Sequence, residues 1–255
     1  MADKLFRRSL LLQGAALPLA AGAHAQVKEQ AISDGVVSGV FVTPAKLPAP
    51  GIFVLHTAWG KVHPQDVTYA KALAAAGFVA FAINYSGQGK PTWVKEYLAW
   101  MARRPEVANQ PLGAVGFSMG GGCAFYFGVS PRVKAVVSYY GTYDLKTTPI
   151  PAMHSDNPRA SPLYLVPELN CAALLLHGGS DTEVPLEMVE RMKRAMQARG
   201  LPCEAVVYPG CYHAFDRGPP SSSDRTNDGT LMKYDSAAAA DSMQRSIAWF
   251  RKYLV

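Results

Sequence analysis

Charge is scarce in this chain of 255 residues: Asp, Glu, Lys and Arg together make up 17% of it. The formal net charge is +6. Lys4, Arg7 and Arg8 against Asp3 supply +2 of that, which leaves +4 spread over the rest without a Lys/Arg run. A nucleic-acid binder concentrates its basic residues on one face or in one arm, so that class is excluded. Long apolar runs are also missing. The best candidate, Ser9 to Ala21, offers about a dozen apolar residues broken by Gln13, whereas a membrane span needs ~20. Only four cysteines occur, Cys123, Cys171, Cys203 and Cys211, and their spacing fits no zinc site. There is no internal repeat and no domain linker, so a single domain is expected. Hydrophobic residues reach 49%, enough to bury a full core and to exclude a disordered chain.

The first 25 residues read as a secretory signal. A basic start, Asp3-Lys4-Leu5-Phe6-Arg7-Arg8, precedes the weakly apolar stretch. Ala23-His24-Ala25 then places small residues where signal peptidase cuts, before Gln26. The pair Arg7-Arg8 followed by Ser9-Leu10-Leu11 resembles a twin-arginine signal, which exports folded proteins. A periplasmic or secreted location is expected, with no stable membrane anchor after processing and no lipoprotein cysteine behind the cut. An oxidising compartment permits a disulfide. Cys171 and Cys203, each opening a predicted strand, are the best-placed pair. The alternative, slightly favoured, is four buried thiols acting as small apolar side chains.

Residues 26–255 alternate β-like runs with helical patterns, the signature of a mostly parallel central sheet flanked by helices. Strands are expected at Val36–Val42, Gly51–Thr57, Phe78–Ile83, Leu112–Phe117, Val133–Ser138, Ala172–Leu176 and Glu204–Tyr208. Helices are expected at Pro64–Ala76, around Trp93–Met101, at Met119–Val129, at Pro185–Arg199 and from about Asp235 to the end. The last buries Met243, Ile247, Phe250 and Leu254 at helical spacing. Leu145–Leu169 is Pro-rich, irregular and too short for a large cap, so the site beneath it should be open.

One strand runs straight into Gly116-Phe117-Ser118-Met119-Gly120 and then an apolar helix. This is a G-x-S-x-G element in its required setting. A strand-to-helix turn this sharp forces the Ser into strained φ/ψ, and the flanking positions must be Gly to avoid clashes. The helix N-terminus beneath favours developing negative charge. A hydroxyl at neutral pH needs a base, and in this arrangement the acid and then the base follow later in the chain. Asp181 in His177-Gly178-Gly179-Ser180-Asp181 and His213 after Tyr208-Pro209-Gly210 sit in loops behind predicted strands and fill those roles. Asp181 would hold the His213 tautomer and stabilise its charged form. Glu183, a rival acid, directly precedes Val184-Pro185 and reads as a helix N-terminal charge. His56 and His177 should bond loop backbone, while His63 and His154 sit in polar loops. An oxyanion hole is expected from the backbone N–H groups of Met119 and Ala58, the latter in the loop Leu55-His56-Thr57-Ala58-Trp59-Gly60. Trp59 could line the acyl pocket.

In that ordered set, completed by His213-Ala214-Phe215, the chain from about Gly35 onward resembles the dienelactone hydrolase family. The resemblance implies a compact α/β-hydrolase fold without a cofactor, acting on small esters or lactones. No metal is expected, and the chain is expected to be a monomer or homodimer. Three departures from the family stand out. Ser118 replaces the Cys nucleophile of the members that open dienelactones. Thr57 stands where they carry a Glu paired with the resting thiol, and a neutral hydroxyl needs no such control. Arg217 matches one of the two arginines that bind their substrate carboxylate, but the second falls at Gly87 in a shortened segment. Other acyl hydrolases (a thioesterase, a polyester hydrolase or a peptidase) use the same triad. A binding protein that merely keeps the fold is the remaining class, and a fluorophosphonate probe would separate it.

Overall fold

In the computed structural model, residues 27–57, 60–85, 92–149, 153–217 and 231–255 are described. The expected signal segment and the positions of Ala58, Trp59 and Gly87 lie outside them. Among the described residues, eight strands form one sheet in the order β1-β2-β4-β3-β5-β6-β7-β8. They are β1 Lys28–Asp34, β2 Val37–Thr43, β3 Gly51–Leu55, β4 Val79–Ile83, β5 Leu112–Phe117, β6 Val133–Tyr139, β7 Ala172–Gly178 and β8 Cys203–Tyr208. The helices are α1 Pro64–Ala75, α2 Trp93–Ala102, α3 Met119–Phe127, the short α4 Pro162–Leu165, α5 Leu186–Ala198 and α6 Ser236–Leu254. All strand pairings from β4 to β8 are parallel, while β2 pairs antiparallel with both β1 and β4.

The sequence misses β1 because nearly every position of it is exposed and it lacks an apolar alternation. The overlooked signal is Gly35 at φ 60°, first of the two residues between Asp34 and its partner Val37. Glycine at that point of a two-residue loop sets up a hairpin. Residues 158–168 also contain α4 and two 3-10 turns where only irregular chain is expected. They form no separate domain.

The central strands are buried on both faces, as continuous apolar runs demand. One face packs Phe53, Phe81, Tyr97, Phe125 and Met192 beneath α2, α3 and α5. The other packs Ile52, Val54, Leu73, Phe78 and Phe250 beneath α1 and α6. Asp235 caps α6, accepting from the N–H of Ala238 at 2.9 Å. All four cysteines are free and buried, so the pair Cys171 and Cys203 forms no bridge. Burial pushes both thiols up to about 12, which keeps them protonated and inert.

The order β4-β3-β5-β6 has a consequence for function. The chain leaves β3 toward β4 on one side, then returns to lay β5 on the other. A crevice opens where the connections diverge, beyond the carboxyl ends of β3 and β5. No helix among the described residues is long and apolar enough to cross a membrane.

Candidate active site

The turn at the end of β5 places Ser118 at the carboxyl edge of the sheet. Ser118 has φ 54° and ψ −119°, a conformation a non-glycine residue holds only when its surroundings enforce it. Its backbone N–H is tied to the carbonyl of Tyr139 at 2.9 Å, and its carbonyl accepts from Gly122. The flanking glycines are required by contact distance. A Cβ on Gly116 would stand 2.0 Å from the Gly120 carbonyl oxygen, and one on Gly120 would stand 2.3 Å from the His56 carbonyl oxygen. Both neighbours are backbone and cannot rotate away. Gly116→Ala is therefore expected to lower stability by about 3 kcal/mol or more. A fall in the urea midpoint checks it, and an unchanged midpoint would mean the turn is looser than described.

The loops after β7 and β8 are stitched together before either reaches the site. Gly179 N–H donates to Tyr208 O at 2.8 Å, and Ser180 N–H donates to Cys211 O at 2.9 Å. Within the first loop, Asp181 Oδ1 accepts from the N–H groups of Glu183 and Val184 at 2.8 and 3.0 Å. That fixes the carboxylate and leaves Oδ2 for His213 Nδ1, 2.8 Å away. His213 Nε2 lies 3.0 Å from Ser118 Oγ. Alcohol, imidazole and carboxylate thus form one hydrogen-bonded chain, almost wholly buried: Ser118 is 7% exposed and His213 1%.

Burial pushes the Asp181 carboxyl up, but the hydrogen bond and charge of His213 outweigh it and hold it below its ordinary value. For His213 burial disfavours the charged ring, yet Asp181, then Glu183 and Asp216, outweigh that and raise it above 6.5. The ring of Tyr140 packs on the imidazole with centroids 4.6 Å apart. His177, behind the acid, is lowered by burial. It bonds the Val184 carbonyl at 3.0 Å, the backbone role its sequence position suggests. His56 does likewise with Thr57 O. His63, expected as a loop residue, instead caps α1 in a reciprocal box with Asp66. Thr57 is buried in the loop after β3. Met119 opens α3, where a backbone N–H has no intrahelical acceptor, the geometry an oxyanion donor requires.

Arg217 is not in the chain of catalytic candidates. Its Nη1 donates to Asp66 Oδ1 at 2.8 Å, its Nε reaches Tyr140 Oη at 3.5 Å, and its guanidinium lies 4.1 Å over the Phe117 ring. The Tyr140 hydroxyl donates to Asp216 Oδ1 at 2.5 Å. The guanidinium expected to meet substrate is thus committed to a buried aspartate from α1.

Glu183, set aside in the sequence as a helix-start charge, brings Oε2 to 3.7 Å from His213 Nε2. Only the tight turn around Asp181 puts it there, so spacing alone could not reveal it.

A doubly flanked, mostly parallel sheet with a strained serine after β5, and with an acid and a histidine in the loops after β7 and β8, defines an α/β-hydrolase. Residues 92–254 match the family model described as the dienelactone hydrolase family. The chain belongs to the dienelactone hydrolase family and is a hydrolase. A Salmonella typhimurium protein with the provisional name carboxymethylenebutenolidase is 33% identical over 156 residues, 61% of this chain and 51% of that protein. The chain thus spans about half the length of that relative. An Escherichia coli K12 protein of the same provisional name is 28% identical over 231 residues, 81% of this chain and 78% of the other. Among solved structures, one provisionally described as a dienelactone hydrolase from Klebsiella pneumoniae superposes with a TM-score of 0.67 at 26% identity. It covers 89% of this chain and 99% of the other.

Proposed function

We propose that the chain is an exported serine hydrolase that cleaves a small carboxylic ester or lactone through an acyl-enzyme on Ser118. The observation that carries this is the continuous path Ser118 Oγ–His213 Nε2–His213 Nδ1–Asp181 Oδ2, with links of 3.0 and 2.8 Å. Ser118 Oγ attacks the ester carbonyl carbon while its proton passes to His213 Nε2. Asp181 stabilises the resulting imidazolium. The tetrahedral oxyanion is held by the backbone N–H of Met119, with Ala58, outside the described residues, expected from the sequence as the second donor. When the intermediate collapses, the C–O bond to the leaving alcohol breaks and that oxygen takes the proton from Nε2. For a lactone the ring opens and the alcohol stays attached. Water then repeats the sequence on the acyl-serine, releasing the acid and restoring Ser118.

The departures from the family favour an uncharged substrate over dienelactone itself. Gly87 offers no cation, and Arg217 is held by Asp66. Export rests on Arg7-Arg8 and the Ala23-His24-Ala25 cut, which would release the chain from Gln26 into the periplasm. The test is labelling by a fluorophosphonate probe, followed by peptide mapping. The expected product is a single phosphonylated serine at position 118, and a chain that stays unlabelled would refute the reading.

A further inference from the structure

We propose that Glu183 is a positioning and specificity-determining residue of this site: its carboxylate, set against the proton-transfer edge of His213, stabilises the imidazolium of the tetrahedral stage and biases turnover toward uncharged or cationic esters over those bearing a carboxylate. The proposal rests on reading Ser118, His213 and Asp181 as the catalytic triad.

Three observations support it. First, Glu183 Oε2 stands 3.7 Å from His213 Nε2, the same nitrogen that lies 3.0 Å from Ser118 Oγ. Ser118 Oγ and the Glu183 carboxylate are thus neighbours of the same ring nitrogen, whatever else Glu183 touches. Second, its position is built rather than loose. The backbone N–H groups of Glu183 and Val184 both donate to Asp181 Oδ1, so the bonds that fix the triad acid also fix Glu183. The side chain keeps 20% of its surface exposed, while Ser118 and His213 are nearly sealed. Third, the imidazole is flanked by carboxylates on both edges, Asp181 at Nδ1 and Glu183 at Nε2.

Among the described residues, other charged or titratable groups around the ring include Asp216 and Tyr140, with His177 behind Asp181. Arg217 pairs its Nη1 with Asp66. Opposite charge beside a cation favours the charged form, so Glu183 stabilises protonated His213 and repels an anionic substrate group.

The experiment compares wild type with Glu183→Gln, which keeps the backbone bonds and removes the charge. The His213 ring is titrated by NMR, which needs no turnover. The pH dependence of kcat/KM is followed on phenyl acetate, and the ratio of kcat/KM for phenyl acetate to that for phenyl hydrogen succinate is measured. Removing the carboxylate should move the His213 midpoint and the acid limb of kcat/KM to lower pH, because the neutral base then persists further into acid. The preference for phenyl acetate should shrink about fivefold, the scale of a screened like-charge contact. A superposable His213 titration would overturn the role in proton transfer, and an unchanged ester ratio would overturn the role in selection. Failure of the function itself reads differently: wild type would then hydrolyse neither ester while the His213 titration still reports on Glu183.

Discussion

Ser118→Ala is expected to lower turnover of a short p-nitrophenyl ester about 10⁵-fold, with the fold unchanged. The magnitude follows from the way a triad acts as a unit: once the nucleophile is gone, the base and acid have no proton to move, and only binding and the oxyanion donors remain. Structure should survive because the Ser118 backbone carries the local bonds. Its N–H to Tyr139 O and its carbonyl from Gly122 are independent of the side chain, and alanine needs no more room than serine. Alanine must still hold φ 54°, a strain it shares with the native residue. The measurement is steady-state hydrolysis beside far-UV circular dichroism and a urea melt. Activity within tenfold of wild type would move the nucleophile elsewhere.

Arg217→Met should act on stability instead, by about 3–5 kcal/mol in a urea titration. Asp66 is fully buried, and its Oδ1 loses the Nη1 partner 2.8 Å away. Stranding a buried charge is costly even where the intact pair contributes little. The ring of Phe117, 4.1 Å beneath the guanidinium, loses a cation–π contact as well. Adding Asp66→Asn to Arg217→Met should recover part of the loss, since the uncompensated carboxylate is then gone. A substrate-binding arginine predicts the reverse pattern: stability unchanged and KM raised for an acidic ester alone. The two patterns are opposite, so one titration and one pair of KM values decide between them.

The parts of this fold legible in the sequence are those built from contiguous residues. The runs that became β3, β4 and β5 are apolar at every position because both faces of the sheet are covered, and α5 shows its buried Met188, Val189, Met192 and Met196 at helical spacing. The strand β1 was not legible, since Lys28-Glu29-Gln30 and the residues after them become a strand only by pairing with β2. The same division runs through the site. G-x-S-x-G announces its own geometry because the strain and the need for glycine are local to five residues. Arg217 sits at the spacing of a substrate arginine, yet the partner that claims it, Asp66, is 151 positions away. Glu183 looks like a charge at a helix start, and only the turn around Asp181 carries it to His213.

By itself the sequence determined the sheet-and-helix pattern and the order of the candidate serine, aspartate and histidine along it, which depend on residue type and short-range backbone sterics. Tertiary structure alone decided which charges meet. Close electrostatic contacts join groups that the chain separates by tens of residues, so pairing Arg217 with Asp66 and setting Glu183 beside His213 depends on the fold that gathers the strand ends.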